Sequence, residues 1–215
     1  MNDAGLRAKR LLDLTIALPL LAVAALPMLG IALALRCTDG APVLFRQTRP
    51  GRGTRPFTLL KFRTMRAGSA PDELRLTRLG RVLRTLSLDE LPQLWNVLRG
   101  EMSLVGPRPL LPQYVARYSP RQMRRHDVPP GITGLAQVEG RNALSWEQRF
   151  ELDVWYVEHR NLALDLRLIA RTVLAVALRR GVSASGHATM PEFLGSAPPA
   201  AASARCERSE PCATW

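Results

Sequence analysis

The sequence predicts an α+β protein, mainly α, in which an N-terminal proline-broken re-entrant membrane helix precedes a small globular domain. That domain is expected to consist of amphipathic interfacial helices and a short β-hairpin. Three observations lead there. No charged residue lies between Leu14 and Leu35. Two stretches of extended character flank a Pro-Gly turn soon afterwards. The remainder repeats apolar residues at helical spacing, with arginines interleaved. The 215 residues suffice for one compact domain with a short segment at either end. The expected division is 1–36 for the membrane helix with its basic flank, 37–194 for the globular domain and 195–215 for a disordered tail.

The uncharged N-terminal stretch is as long as the roughly 20 residues a helix needs to cross a hydrocarbon core. It is too long for a signal peptide and lacks a small-residue cleavage site. Arg7, Lys9 and Arg10 precede it, and Arg36, Arg46 and Arg49 follow. Basic residues on both sides give both ends a preference for the same face of the membrane. Pro19 and Pro27 lie within it, and an interior proline removes a backbone hydrogen bond and bends the helix. A helix that enters and leaves by one face, broken at Pro27, satisfies both observations. A single span is the alternative, since membrane helices tolerate proline.

Val43–Phe45 and Phe57–Phe62, separated by Arg49–Thr54, read as a hairpin. Asp72–Leu86 carries Leu74, Leu76, Leu79, Val82, Leu83 and Leu86 near helical period, and Arg75, Arg78, Arg81 and Arg84 recur every third residue. This is a basic amphipathic helix, suited to an anionic bilayer or to a solvated surface. Leu88–Met102 reads as a further helix, Val105–Pro112 as a loop, and Tyr114–Arg125 as helical. The prolines and glycines of Val128–Gly134 exclude helix there, and a polar loop is expected to follow as far as Arg141-Asn142. Trp146–His159 and Asp165–Arg180 read as two more helices. The second is apolar along one side, carries Arg167, Arg171, Arg179 and Arg180, and suits an interface. Beyond Gly195, Ala, Pro and Ser dominate, the composition of a disordered tail.

Lys and Arg number 30 against 18 acids, a net charge of +12, which calls for a polyanionic partner: nucleic acid, anionic lipid or a phosphorylated substrate. A nucleic-acid-binding protein accounts for the charge but not for the apolar segment, nor for an aromatic content of only 6%. A non-catalytic membrane-anchored scaffold accounts for both segment and charge. Cys37, Cys206 and Cys212 form neither a zinc-ligand spacing nor an even set for disulfides, which fits a reducing compartment. His126, His159 and His187 belong to no metal-binding array and are expected to be structural or superficial.

Chemistry concentrates in Ser87-Leu88-Asp89-Glu90-Leu91-Pro92. Ser87 with Glu90 matches a capping box, which would put Asp89 and Glu90 in the first turn of a helix whose dipole favours their ionised forms. Consecutive helical residues diverge by about 100°, so the two acids do not share a proton. An ionised carboxylate there can attack phosphorus if cations neutralise the phosphates it approaches; the same residues also make a plain helix cap. The candidate cations are Lys61, Arg63, Arg84, Arg108 and Arg141, and Pro107 and Pro109 stiffen the loop around Arg108.

The chain resembles the small monotopic phosphoglycosyl transferases of bacterial glycan assembly. The resemblance rests on Lys61-Phe62-Arg63-Thr64-Met65, on Ser87 to Leu98, on Met102-Ser103-Leu104-Val105-Gly106-Pro107-Arg108-Pro109, on Pro130 to Val138 and on Gly140-Arg141-Asn142, in that order. It extends from about Lys9 to Gly195. It implies a re-entrant helix broken at Pro27, although Leu26 stands where relatives often carry serine. It further implies a catalytic Asp89-Glu90 pair with Mg2+ held near Asp89. Asp89 would attack the sugar-bearing phosphate of a UDP-sugar, release UMP and hold the sugar phosphate until undecaprenyl phosphate, the polyprenyl acceptor, takes it. Glu90 would have a proton or metal role. Lys61, Arg63, Arg84, Arg108, Gln137 and Arg141 would bind substrate. A UDP-linked N-acetylated deoxysugar is the expected donor, suggested by the stretch from Gly186 to Phe193, with UDP-galactose or UDP-glucose next. The resemblance places the protein on the cytoplasmic face of the bacterial inner membrane against anionic lipids, with no nucleic acid, and a homo-oligomer is compatible with it.

Overall fold

A computed structural model describes residues 3–68, 70–140, 144–178 and 192–195. Helix α1 (Asp3–Thr38) is followed by strand β1 (Leu44–Pro50) and strand β2 (Pro56–Phe62). These pair antiparallel from Leu44 opposite Phe62 to Pro50 opposite Pro56. The turn between them is closed by the Gly51 amide donating to the Arg55 carbonyl at 2.7 Å, with Gly53 and Thr54 in the left-handed region at φ 59° and 61°. The expected hairpin is therefore present. Because side chains alternate faces along a strand, Phe57 and Leu59 point into the core while Pro56 and Thr58 do not.

The expected single helix over Asp72–Leu86 is two pieces, α2 (Asp72–Arg75) and α3 (Arg78–Thr85). Leu76 bridges back to Met65, and Thr77 caps α3 by accepting a hydrogen bond from the Gly80 amide at 2.9 Å. A side chain at Gly80 would meet the Thr64 carbonyl oxygen at 2.1 Å, so glycine lets α3 lie directly on the strand end that carries Thr64.

Leu88–Glu90 form a 3-10 turn, and α4 (Gln93–Arg99) starts only after Pro92. The helix expected from Leu88 to Met102 is thus shorter at both ends; Gly100, at φ 80°, terminates it. The expected capping box does not form, for Ser87 adopts a left-handed conformation and its side chain caps nothing.

Strand β3 (Ser103–Val105) leads into the proline-rich loop. The helix expected over Tyr114–Arg125 resolves into a 3-10 stretch (Pro112–Arg117), α5 (Pro120–Met123) and another 3-10 turn (Arg124–His126). Strand β4 (Gly131–Thr133) pairs parallel with β3, Ser103 opposite Gly131 and Val105 opposite Thr133. Where a polar loop was expected, α6 (Leu135–Glu139) follows. Helix α7 (Trp146–His159) has the expected bounds, and α8 (Leu162–Ala177) begins before Asp165. The expected extension to Arg180 and the tail beyond Gly195 lie outside the described residues.

The main core joins Ala17 of α1, Phe57 and Leu59 of β2, Leu94 and Val97 of α4, Val105, Leu135, Tyr156 and Leu168. A second cluster packs Phe193 edge-on against Tyr114 and Phe150. The third holds Leu35, Phe62 and Leu83.

Helix α1 is bound to this body at both ends. Lys9 Nζ lies 2.7 Å from Asp165 Oδ2, and Asp13 accepts from the Ser103 hydroxyl at 3.0 Å and the Leu104 amide at 3.1 Å. Arg10 donates to the carbonyls of Val97 and Leu98 at 2.6 and 2.7 Å, near the C-terminus of α4. At the other end Met28, Ile31 and Ala32 pack against the third cluster. Leu18, Val23, Leu26, Leu29 and Leu33 between and beside these contacts are exposed. Helical structure runs without interruption from Asp3 to Thr38 through Pro19 and Pro27. A break into two helical arms was expected at Pro27; helical backbone continues through it, since one missing hydrogen bond does not end a helix this rich in Leu and Ala. The helix is long and apolar enough to cross a membrane, and 11% of its most apolar stretch is buried.

Candidate active site

Lys61, near the end of β2, the turn Leu88–Glu90 and the loop around Arg108 converge on one point. Glu90 Oε1 takes both cations, with Lys61 Nζ at 2.6 Å and an Arg108 terminal nitrogen at 2.7 Å. Burial opposes ionisation of Glu90, but Arg108 and then Lys61 overcome it and hold the carboxyl well below the usual range. Glu90 in turn raises the Arg108 pKa, while burial pushes the Lys61 ammonium down despite its carboxylate partner.

Asp89 is different. It is 8% exposed, and its carboxylate makes no hydrogen bond or ion pair at bonding distance with any other described residue. Burial raises its pKa, neighbouring Glu90 adds to the rise, and Lys61, Arg84 and Arg108 only partly offset it. The residue before this turn, Ser87, has φ 56°, a conformation that non-glycine residues rarely adopt and that recurs at functional sites.

Asp89 and Glu90 open on a cavity of about 1240 Å³. Its polar wall includes Lys61, Arg63, Arg84, Arg108 and Gln137, so the structure brings these sequence-named residues together. Their duties differ. Arg84 Nε donates to the Thr64 hydroxyl at 3.0 Å. Arg63 donates to the carbonyls of Asp39, of Gly40 at 2.8 Å and of Ala41 at 3.1 Å, clasping the end of α1. Gln137 donates from Nε2 to the Ile132 carbonyl at 2.8 Å and leaves Oε1 buried without a partner. Arg141 lies outside the described residues, and Pro27 does not line the cavity. The opposite wall is apolar, built from Ile16 and Leu20 of α1, Ile132, and Ile169, Val173 and Val176 of α8.

Cavity-lining cations that escape a reading by motif include Arg49 on β1 and Arg149 on α7. Arg49 reads locally as part of a turn, yet it pairs with buried Phe57 across the hairpin and so shares its inward face. Register, a non-local property, was the only signal. His126 bears out the expectation of a structural histidine: Nδ1 lies 3.2 Å from the Gly51 carbonyl, and burial, aided by Arg125, pushes its pKa down to about 4.

Among the described residues no three His, Cys, Asp or Glu side chains cluster to cage a metal. The donor set still suits magnesium, which keeps several waters and binds through one or two carboxylates plus substrate phosphates. Asp89, buried and unpartnered, offers one such carboxylate.

One open carboxylate in a cation-lined cavity, on a helical scaffold with a long apolar helix, is an arrangement suited to phosphorylated ligands. Comparison with known proteins makes the class specific. The family model described as bacterial sugar transferase matches residues 4–179, and the chain belongs to that family. It is 51% identical over 194 residues to the "Uncharacterized sugar transferase EpsL" of Bacillus subtilis, covering 87% of this chain and 96% of that protein. It is 43% identical over 189 residues to a "UDP-glucose:undecaprenyl-phosphate glucose-1-phosphate transferase" of Caulobacter vibrioides, covering 77% and 68% of the two chains. A "UDP-galactose-lipid carrier transferase" of Erwinia amylovora is 38% identical over 196 residues, covering 80% of this chain and 41% of that one. The protein is thus a transferase of the phosphoglycosyl class.

Proposed function

We propose that this chain transfers a sugar 1-phosphate from a UDP-sugar to undecaprenyl phosphate, releasing UMP, through a covalent intermediate on Asp89. The observation that carries this reading is the buried Asp89 carboxylate, which lines the cavity with no bonded partner among the described residues. A carboxylate kept for structure would be paired, as Glu90 is.

An Asp89 oxygen attacks the sugar-bearing phosphorus. The bond from that phosphorus to the oxygen bridging it to the nucleotide phosphate breaks, and UMP departs with the electron pair. An oxygen of undecaprenyl phosphate then attacks the same phosphorus, the Asp89 O–P bond breaks, and the carboxylate is restored. Lys61 and Arg108 hold Glu90 ionised and their own geometry fixed, so the cavity is preorganised for phosphate charge. Magnesium, held by Asp89, would neutralise the donor's phosphates when bound.

The apolar wall of α1 and α8 supports a lipid acceptor. Attachment of both ends of α1 to one body supports re-entrant membrane insertion, in which neither end crosses the bilayer. The cytoplasmic face of the bacterial inner membrane, with its anionic lipids, suits arginines such as Arg75, Arg78 and Arg81. For the donor, the relatives' names print glucose and galactose, which favours a UDP-hexose; a UDP-linked N-acetylated deoxysugar is the competing choice.

The test is a panel of UDP-sugars with undecaprenyl phosphate and Mg2+, scored by nucleotide product and by radiolabelled sugar phosphate trapped on the protein. UMP and an adduct lost in Asp89→Asn are expected. Release of UDP would instead identify ordinary glycosyl transfer, and an adduct surviving in Asp89→Asn would remove that residue as nucleophile.

A further inference from the structure

The cavity carries cations beyond those that surround Asp89, and Arg49 is one of them. Arg49 points inward from β1, lines the cavity, and has no carboxylate within ion-pair distance among the described residues. Of the cavity's acids other than Asp89, Glu90 is engaged with Lys61 and Arg108, and Asp153 with Arg125 at 2.7 Å. One Arg49 terminal nitrogen donates to Gln47 Oε1 at 2.6 Å, a neutral acceptor two positions along the same strand face. Its Nε is buried with no partner. Arg63 and Arg125 are used differently, for Arg63 caps three carbonyls and Arg125 holds Asp153. A cation removed from water and left without an anion is costly, and folds retain such costs at sites of function. Burial, and Arg108 nearby, push its pKa down to about 10, so the charge persists at neutral pH under strain that an incoming anion relieves.

We propose that Arg49, oriented by Gln47, is a second phosphate-binding group of this cavity, set beside Arg108 and separate from the Lys61–Glu90 pair. Its ligand is a phosphate oxyanion. Identifying that oxyanion with the nucleotide's phosphate or with the acceptor's headgroup rests on the phosphoglycosyl transfer reading; the binding site itself does not.

The experiment uses the full chain in lipid nanodiscs and measures equilibrium binding of inorganic pyrophosphate, UMP and a short-chain polyprenyl phosphate to wild type, Arg49→Gln and Arg49→Lys. Arg49→Gln is expected to weaken pyrophosphate binding roughly tenfold or more, with Arg49→Lys recovering part of the loss. The melting temperature without ligand should stay level or rise, because an unpaired buried charge has gone. Parallel loss for UMP alone assigns Arg49 to the leaving nucleotide, and loss for polyprenyl phosphate alone assigns it to the acceptor. Undiminished binding of all three overturns the proposal, as does the absence of pyrophosphate binding in wild type. A fall in the unliganded melting temperature alongside weaker binding also overturns it, since that is the mark of a structural arginine. Failure of the transfer reading is seen separately, as wild type that binds pyrophosphate yet releases no UMP.

Discussion

Asp89 and Glu90 are sequence neighbours with opposite electrostatics. The folded state raises the Asp89 pKa, so the native protein holds that proton more tightly than the unfolded chain. Stability is therefore lost as pH rises through the Asp89 value. Asp89→Asn should abolish turnover and yet raise the melting temperature, by about 2–4 °C for each kcal/mol recovered in a chain of this size. Calorimetry of the detergent-solubilised protein checks it, and a lowered melting temperature would contradict the raised pKa. For Glu90 the sign reverses. Its pKa is depressed, so its contribution is present above the ordinary Glu value of 4.5 and is lost as pH falls through the folded value. Glu90→Gln leaves Lys61 and Arg108 without their counter-charge and should cost about 1.5–3 kcal/mol at neutral pH. The deficit, followed by thermal unfolding across a pH series, should narrow in acid.

At the scale of elements, legibility tracked how local the deciding interaction is. Helix α7 could be read because its start signal is local: Ser145 accepts from the Gln148 amide, and the Gln148 side chain returns the bond. Ser87 and Glu90 offered the same spacing but not the same outcome. Lys61 and Arg108, 29 and 18 residues away, took the Glu90 carboxylate, and Ser87 turned left-handed. The three-residue strands β3 and β4 carry no periodicity to detect. Their pairing depends instead on close approach, since a side chain on Gly131 would meet the Gly106 nitrogen at 2.1 Å. Helix α1 was legible as an apolar segment, but its basic flank was read only as a preference for one face of the membrane. In the folded protein Lys9 is 7% exposed and paired with Asp165, and Arg10 binds carbonyls of α4. Both ends docked on one body lead to a topological expectation: single cysteines at residue 2 and residue 40, in a background without native cysteines, should be labelled from the same side of sealed vesicles. Labelling from opposite sides would establish a single span.

For the whole molecule, the polar half of the active site was largely legible and its enclosure was not. Asp89, Glu90, Lys61 and Arg108 occur in recognisable motifs, Arg84 in an arginine-rich amphipathic stretch, and all five line one cavity. Arg49, Arg149 and the apolar wall from α1 and α8 meet them through packing between segments far apart in the chain, which no local pattern encodes. Because that packing includes α1, the long apolar helix and the rest of the fold share one core: Ala17 is fully buried within it.

Residues such as Lys9, Asp13 and Ala17 make the N-terminal helix a keystone more than a tether. Cutting the gene to begin at residue 40, the usual route to a water-soluble enzyme, would take Lys9 from the Asp165 carboxylate and Asp13 from the Ser103 hydroxyl and bare the flank of α4 that follows Asp89. Such a fragment should aggregate or show the diffuse melting of an unpacked globule, so biochemistry on this protein has to be done with its N-terminal helix in place.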